Sequence, residues 1–278
     1  MSKNFATLRP RPLSLSRRSI LGAFGLTMIP ALSPRTALAD VVAPSAEAEV
    51  TKADAIRNPG VPFRMTNTIV DYRAGVTQSQ VVLETFGKVM ASTGEFASIV
   101  RYLEPEQDTG KLFLKNGNDM WFYDENSKST TRIAPQQRLV GQASIGDVIS
   151  VNYARDYHAA SIGEDAILDA AHAERDCWRL EMVAAAPDAT YARVLYWVER
   201  ETSRPVKARY FSDSGRELKV IFYKDYAPML GATRAGTAII IDAVDTRLAT
   251  IMRFSDAIAR DVPDQWFERD FLARLADQ

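Results

Sequence analysis

Reactive side chains are scarce in this sequence: one cysteine, Cys177, and two histidines, His158 and His172, in 278 residues. A lone cysteine excludes an intramolecular disulfide. Zinc, copper and iron centres need clustered His and Cys, so neither a metal nor another cofactor is expected. His172 with Cys177 comes nearest to a ligand pair, but a loop histidine and a buried cysteine account for them more simply. Motifs for nucleophiles and nucleotides are missing too. Ser144, between Gly141 and Gly146, misses the G-x-S-x-G spacing and reads as a helix cap. Neither G-x-G-x-x-G nor a Walker motif occurs. Asp119, Asp124, Asp147 and Asp156 could in principle form a glycosidase-like pair, yet turns and caps use such carboxylates equally well. The chain therefore reads as a non-enzyme.

Acidic residues are absent from residues 1–39, which hold Lys3, Arg9, Arg11, Arg17, Arg18 and Arg35. Arg17-Arg18 precedes a modest apolar run, Leu21 to Leu32, and Ala37-Leu38-Ala39 supplies a small-x-small cleavage site before Asp40. The run is shorter than the about 20 residues a spanning helix needs. The segment resembles a twin-arginine export signal, which implies cleavage, export of a folded chain and a soluble periplasmic product. Residues 40–278 carry 28 Lys and Arg against 35 Asp and Glu, a net charge of −7. That balance argues against nucleic acid and against a peripheral hold on anionic membrane surfaces.

This mature part reads as a single β-rich domain, with no repeat, low-complexity tract or long linker. Ala46, Val50, Ala53 and Ile56 recur at helical spacing, predicting a helix over 46–57 that ends at Asn58-Pro59-Gly60. Beyond it come β-like runs separated by turn residues. Between them, 136–153 is less β-like: Ser144 and Asp147 make a capping-box-like start, and Ile145, Val148 and Ile149 form one helical face. This interruption is a candidate lid, or equally a plain connecting helix. Phe267, Phe271 and Leu275, four apart, predict a closing helix over 264–276.

The most informative stretch is 111–123, an apolar hairpin through Asn116-Gly117. A two-residue turn there would oppose Leu112 to Trp121 and Phe113 to Met120. Leu112, Leu114, Trp121 and Tyr123 then share one side, with Phe113, Met120 and Phe122 on the other. Other strands are also two-sided: Trp178 and Leu180 oppose Cys177 and Val183, and Leu195 and Trp197 oppose Val194, Tyr196 and Val198. A second packed layer explains such strands, and so does a curved sheet around an apolar hollow for a lipid chain.

The order of motifs adds a resemblance. Gly110 to Lys115, Met120 to Tyr123, Thr131 to Pro135 and Leu139 to Asp147 come first, followed by Tyr196-Trp197-Val198, Arg204-Pro205 and Asp261 to Phe267. Together they resemble the outer-membrane lipoprotein-sorting family, relatives of the periplasmic carrier LolA. The resemblance implies a mainly β fold: a curved antiparallel sheet forming an incomplete, half-open β-barrel with a few covering helices. It also implies a carrier of lipid or lipoprotein acyl chains, exchanging cargo with an inner-membrane transporter and acting as a monomer. The alternative on the same scaffold is an envelope sensor or transporter-accessory module that binds protein. The expected cavity wall is Leu112, Leu114, Trp121, Tyr123, Trp178, Leu180, Leu195 and Trp197, and the expected lid is Ile145, Val148 and Ile149. On that expectation a Trp121→Arg change would abolish lipid uptake.

Overall fold

β-branched and aromatic residues alternating between turn formers produce one 13-stranded antiparallel sheet in the computed structural model. The structure describes residues 45–276 except 118, 150 and 186–188, and the side chain of Ser161 is likewise left undescribed. The export signal read at 1–39 and the leader behind it lie outside the described residues, which fall within one compact unit, Ala43–Gln278.

The chain enters through helix α1 (Ala46–Arg57), capped by Ser45, whose hydroxyl accepts the Ala48 amide at 3.2 Å. It then starts in the middle of the sheet. Strands β1 (Phe63–Arg73), β2 (Val76–Val89), β3 (Phe96–Glu104), β4 (Leu112–Asn116), β5 (Asp119–Asp124) and β6 (Ser129–Arg132) meander to one edge. A small second sheet, β7 (Arg138–Val140) with β8 (Ala143–Ser144), and the short helices α2 (Ile145–Val148) and α3 (Tyr153–Asp156) carry the chain to the other edge. From there β9 (Tyr157–Leu168), β10 (Glu174–Ala184), β11 (Arg193–Glu199), β12 (Pro205–Phe211), β13 (Glu217–Met229), β14 (Ala232–Asp242) and β15 (Leu248–Ala259) return to the centre, where β15 pairs with β1. Edge strands β6 and β9 do not pair with each other, so the fold is a mainly β, half-open antiparallel sheet rather than a closed barrel.

Each face has its own cover. On one, α1 packs on α3, β9 and β14, and the largest apolar cluster joins Val50 and Ala53 of α1 and Ile145, Val148 and Ile149 to the sheet. The opposite face is covered at β2–β5 by the C-terminal tail, where Val262, Phe267, Leu272 and Leu275 bury Phe86, Ile99, Leu112, Leu114 and Tyr123. Lys88 Nζ donates to Val262 O at 2.6 Å and Asn116 Nδ2 to Phe267 O at 3.0 Å, fixing the tail's path. The single helix predicted for 264–276 is instead two 3₁₀ turns, Asp264–Phe267 and Arg269–Phe271, followed by α4 (Leu272–Ala276). Extended backbone at Glu268 breaks the axis and lets Phe267 and Leu272 both reach the sheet.

The hairpin register differs from the expected one by two residues. Leu112 pairs with Tyr123, Leu114 with Trp121 and Asn116 with Asp119, with Gly117 at φ +57° in the turn. Side chains alternate with period two, so this slip leaves the grouping of residues by face unchanged.

Candidate functional site

The connection 133–156 lies on the helix-covered face and is fastened there by polar contacts. Asp147 accepts from the Ser144 amide at 2.7 Å and the Ser144 hydroxyl at 2.9 Å, which starts α2. The same carboxylate pairs with Lys219 on β13 and accepts from Tyr191 Oη at 2.8 Å. Both members of the ion pair are buried, so removing either would leave a charge in the core without its partner. Upstream, Gln142 N donates to Thr250 Oγ1 at 2.7 Å. Gly141 sits at φ +53° with Asp71 and Thr250 where a Cβ would be, a place only glycine fits. Asn58 Nδ2 reaches Val151 O at 2.9 Å and Asp54 accepts the Ala154 amide at 2.8 Å, tying the end of α1 to α3.

Between this cover and the sheet lies a cavity of about 120 Å³. Its apolar part is formed by Met65, Val148, Ile149, Ile221, Met252 and Phe254. Its polar part holds Arg57, Arg234, Tyr153, Tyr210 and Tyr223. The three tyrosine hydroxyls form a chain, Tyr153 to Tyr210 at 2.9 Å and Tyr210 to Tyr223 at 3.1 Å. Burial pushes the pKa values of all three phenols up. The Arg57 guanidinium lies 4.0 Å from the centre of the Tyr153 ring and donates to Asp54 Oδ1 at 3.0 Å. Desolvation raises the Asp54 carboxyl to about 6, although Arg57 and the Ala154 amide pull the other way.

The expected wall residues divide between the faces. Trp178 and Leu180 belong to the helix-covered cluster, although neither lines the cavity. Leu112, Leu114 and Tyr123 lie under the C-terminal tail, with Trp121 packed against that cluster beside an open groove of about 460 Å³. Leu195 and Trp197 also face away from α1, in a small cluster with Cys177 and Val206. The pairings Leu180↔Tyr196 and Trp178↔Val198 explain this, because cross-strand partners share a face and the residues between them point the other way. Of the lid residues, Val148 and Ile149 line the cavity and Ile145 is buried in the core beside it.

The candidate catalytic groups do not converge. Asp119 pairs with Arg132 at 2.6 Å, Asp124 accepts the Asn126 amide at 2.9 Å and Asp147 pairs with Lys219. Cys177 is buried and its thiol is pushed up to about 12, chiefly by desolvation. No group of three His, Cys, Asp or Glu placed to hold a metal occurs among the described residues, and none of their helices is long and apolar enough to cross a membrane.

Arg57, Arg234 and the tyrosine chain were not among the expected site residues. One signal was available: Arg234 shares strand parity with Ala238 and Ile240, both buried on the helix-covered face.

A LolA superfamily protein of Nitrosomonas europaea is similar at 30% identity and TM-score 0.73, covering 82% of this chain and 100% of that one. The chain belongs to the LolA superfamily. Two further structures share the LolA-type fold. A DUF1329 family protein of Desulfovibrio piger has 18% identity and TM-score 0.70, over 82% and 97% of the two chains. A candidate outer membrane lipoprotein-sorting protein domain of Vibrio parahaemolyticus has 17% identity and TM-score 0.68, over 82% and 98%. A family model described as "Uncharacterized protein" matches residues 94–274. A search of the curated proteins finds no match.

Proposed function

We propose that this protein is an exported, periplasmic, non-enzymatic carrier. It shelters an acyl chain of a lipid or lipoprotein beneath the connection 133–156 and exchanges it with a membrane transporter. The observation that carries this reading is the cavity itself, with Met65, Ile221, Met252 and Phe254 below and Val148 and Ile149 above. Superfamily membership supports it, as does the relative described as a lipoprotein-sorting domain. The cavity of about 120 Å³ is smaller than the about 300–1,000 Å³ of ordinary ligand pockets, so cargo is taken up by lifting α2 and α3 from the sheet. Each buried methylene contributes about 0.8 kcal/mol, so about ten of them reach micromolar affinity before ordering costs.

The test is uptake of a fluorescent fatty acid together with mass spectrometry of lipid carried by protein purified from its native envelope. An Ala238→Phe change fills the cavity floor and is expected to lower uptake at least tenfold in a folded protein. Undiminished uptake by this variant, or no lipid bound to wild type, overturns the reading. The small size of the hollow favours one other reading, a protein-binding accessory of an envelope transporter. A membrane protein that co-purifies with lipid-free wild type would decide for it.

A further inference from the structure

The polar end of the cavity carries one more positive charge than its surroundings neutralise. Arg234 is only 5% exposed and forms no ion pair among the described residues. Its guanidinium donates only to carbonyls: Nε to Met229 O at 3.0 Å, Nη1 to Ala55 O at 3.2 Å and to Ile56 O, and Nη2 to Leu230 O at 3.4 Å. Two of these carbonyls close the last turn of α1, and a helix C-terminus offsets about half a charge. The rest is unmatched, although buried charges are otherwise paired. By contrast, the nearby cation Lys219 has its own carboxylate, Asp147.

Donors also remain unspent. A guanidinium has five N–H groups, and the contacts of Arg234 leave one on Nη2. Arg57, one residue beyond Ile56, lines the same cavity and makes its side-chain hydrogen bond to Asp54. In the tyrosine chain, three hydroxyls make two mutual bonds, so one O–H of the three is left to donate. Guanidinium and phenol donors that line one cavity beside an apolar floor match an anionic oxygen group on an aliphatic tail.

Resting on the carrier reading above, we propose that the cargo is an anionic amphiphile whose carboxylate or phosphate sits between Arg234, Arg57 and the tyrosine hydroxyls, with its tail along Ile221, Met252 and Phe254. The net acidity of the exported chain keeps it off anionic membrane surfaces, while this interior site selects the anion one molecule at a time.

The experiment compares binding of cis-parinaric acid with that of its neutral methyl ester by full-length protein. The acid is expected to bind at least tenfold more tightly, and Arg234→Gln to bring the two within twofold of each other. Because Arg234 also holds the end of α1, Arg57→Gln serves as a second variant, with a several-fold loss for the acid alone. Lysophosphatidate of matched chain length identifies the head group: tighter binding than the acid assigns a phosphate, weaker binding a carboxylate. Equal affinity of wild type for acid and ester overturns the anion site and leaves the carrier reading standing. Binding of neither probe overturns both.

Discussion

The two faces of the β4–β5 hairpin are equally apolar and are used differently. Leu112, Leu114 and Tyr123 are buried by Phe267, Leu272 and Leu275 of the tail, hydrocarbon against hydrocarbon. Phe113 and Met120 look toward the face where α2 and α3 lie over a cavity edged by two arginines and three tyrosines. A surface closed by side chains of its own chain contributes stability. The other surface has a cover pinned by a few polar contacts and retains unmatched charge, which the proposed function reads as a place for cargo. The apolar wall is thus common to both faces, and on the proposed reading the polar groups mark the functional one.

The largest effect should come from removing the pin. Asp147→Ala strands Lys219 in the core and is expected to cost about 3–5 kcal/mol in denaturant unfolding. Amide exchange over 133–156 should accelerate with it. A loss below about 1 kcal/mol would mean that the cover is held by its apolar contacts instead.

On the other face, Leu114→Ala deletes a side chain packed beneath the tail and should cost about 3 kcal/mol. Fatty-acid affinity should not change. A drop in affinity matching the drop in stability would erase the distinction between the faces.

A smaller effect separates stabilising from functional charge. The carboxyl of Asp54 stands at about 6 in the folded protein against an ordinary value of 3.8, chiefly through burial. A raised carboxylate pKa means that the folded state holds the proton more tightly, so stability falls as pH rises from about 4 through 6. Between pH 7 and pH 5 the wild type should gain about 1 kcal/mol more than Asp54→Asn in thermal or urea unfolding. Identical pH dependence in the two proteins would show that Asp54 ionises freely.

Local chemistry was legible in the sequence where neighbours decide it. The start of α2 at Ser144 with Asp147 as its box partner comes from residues three apart. Grouping the hairpin residues by face survived a two-residue error in register, because alternation does not depend on the turn. Which face encloses the cavity was not legible, since that depends on where the tail and the 133–156 connection settle. Those paths are set by contacts between distant residues, such as Asp147 with Lys219, 72 positions apart, and Ile56 with Arg234, 178 apart. Separation in sequence also hides that Leu195 and Trp197 face away from Trp178: only the β10–β11 register tells which residues stand opposite. Arg234 is hidden for a simpler reason: β14 begins at Ala232, ahead of its obvious apolar run.

On the proposed function, cargo binds under α2 and α3, away from the tail-covered face. The most direct test is fatty-acid uptake by two folded variants measured side by side, Ala238→Phe in the cavity floor and Trp121→Arg beside the tail. At least a tenfold loss is expected for Ala238→Phe and unchanged uptake for Trp121→Arg. Loss in Trp121→Arg with full uptake in Ala238→Phe would contradict that reading and return the binding wall to Leu112, Leu114, Trp121 and Tyr123.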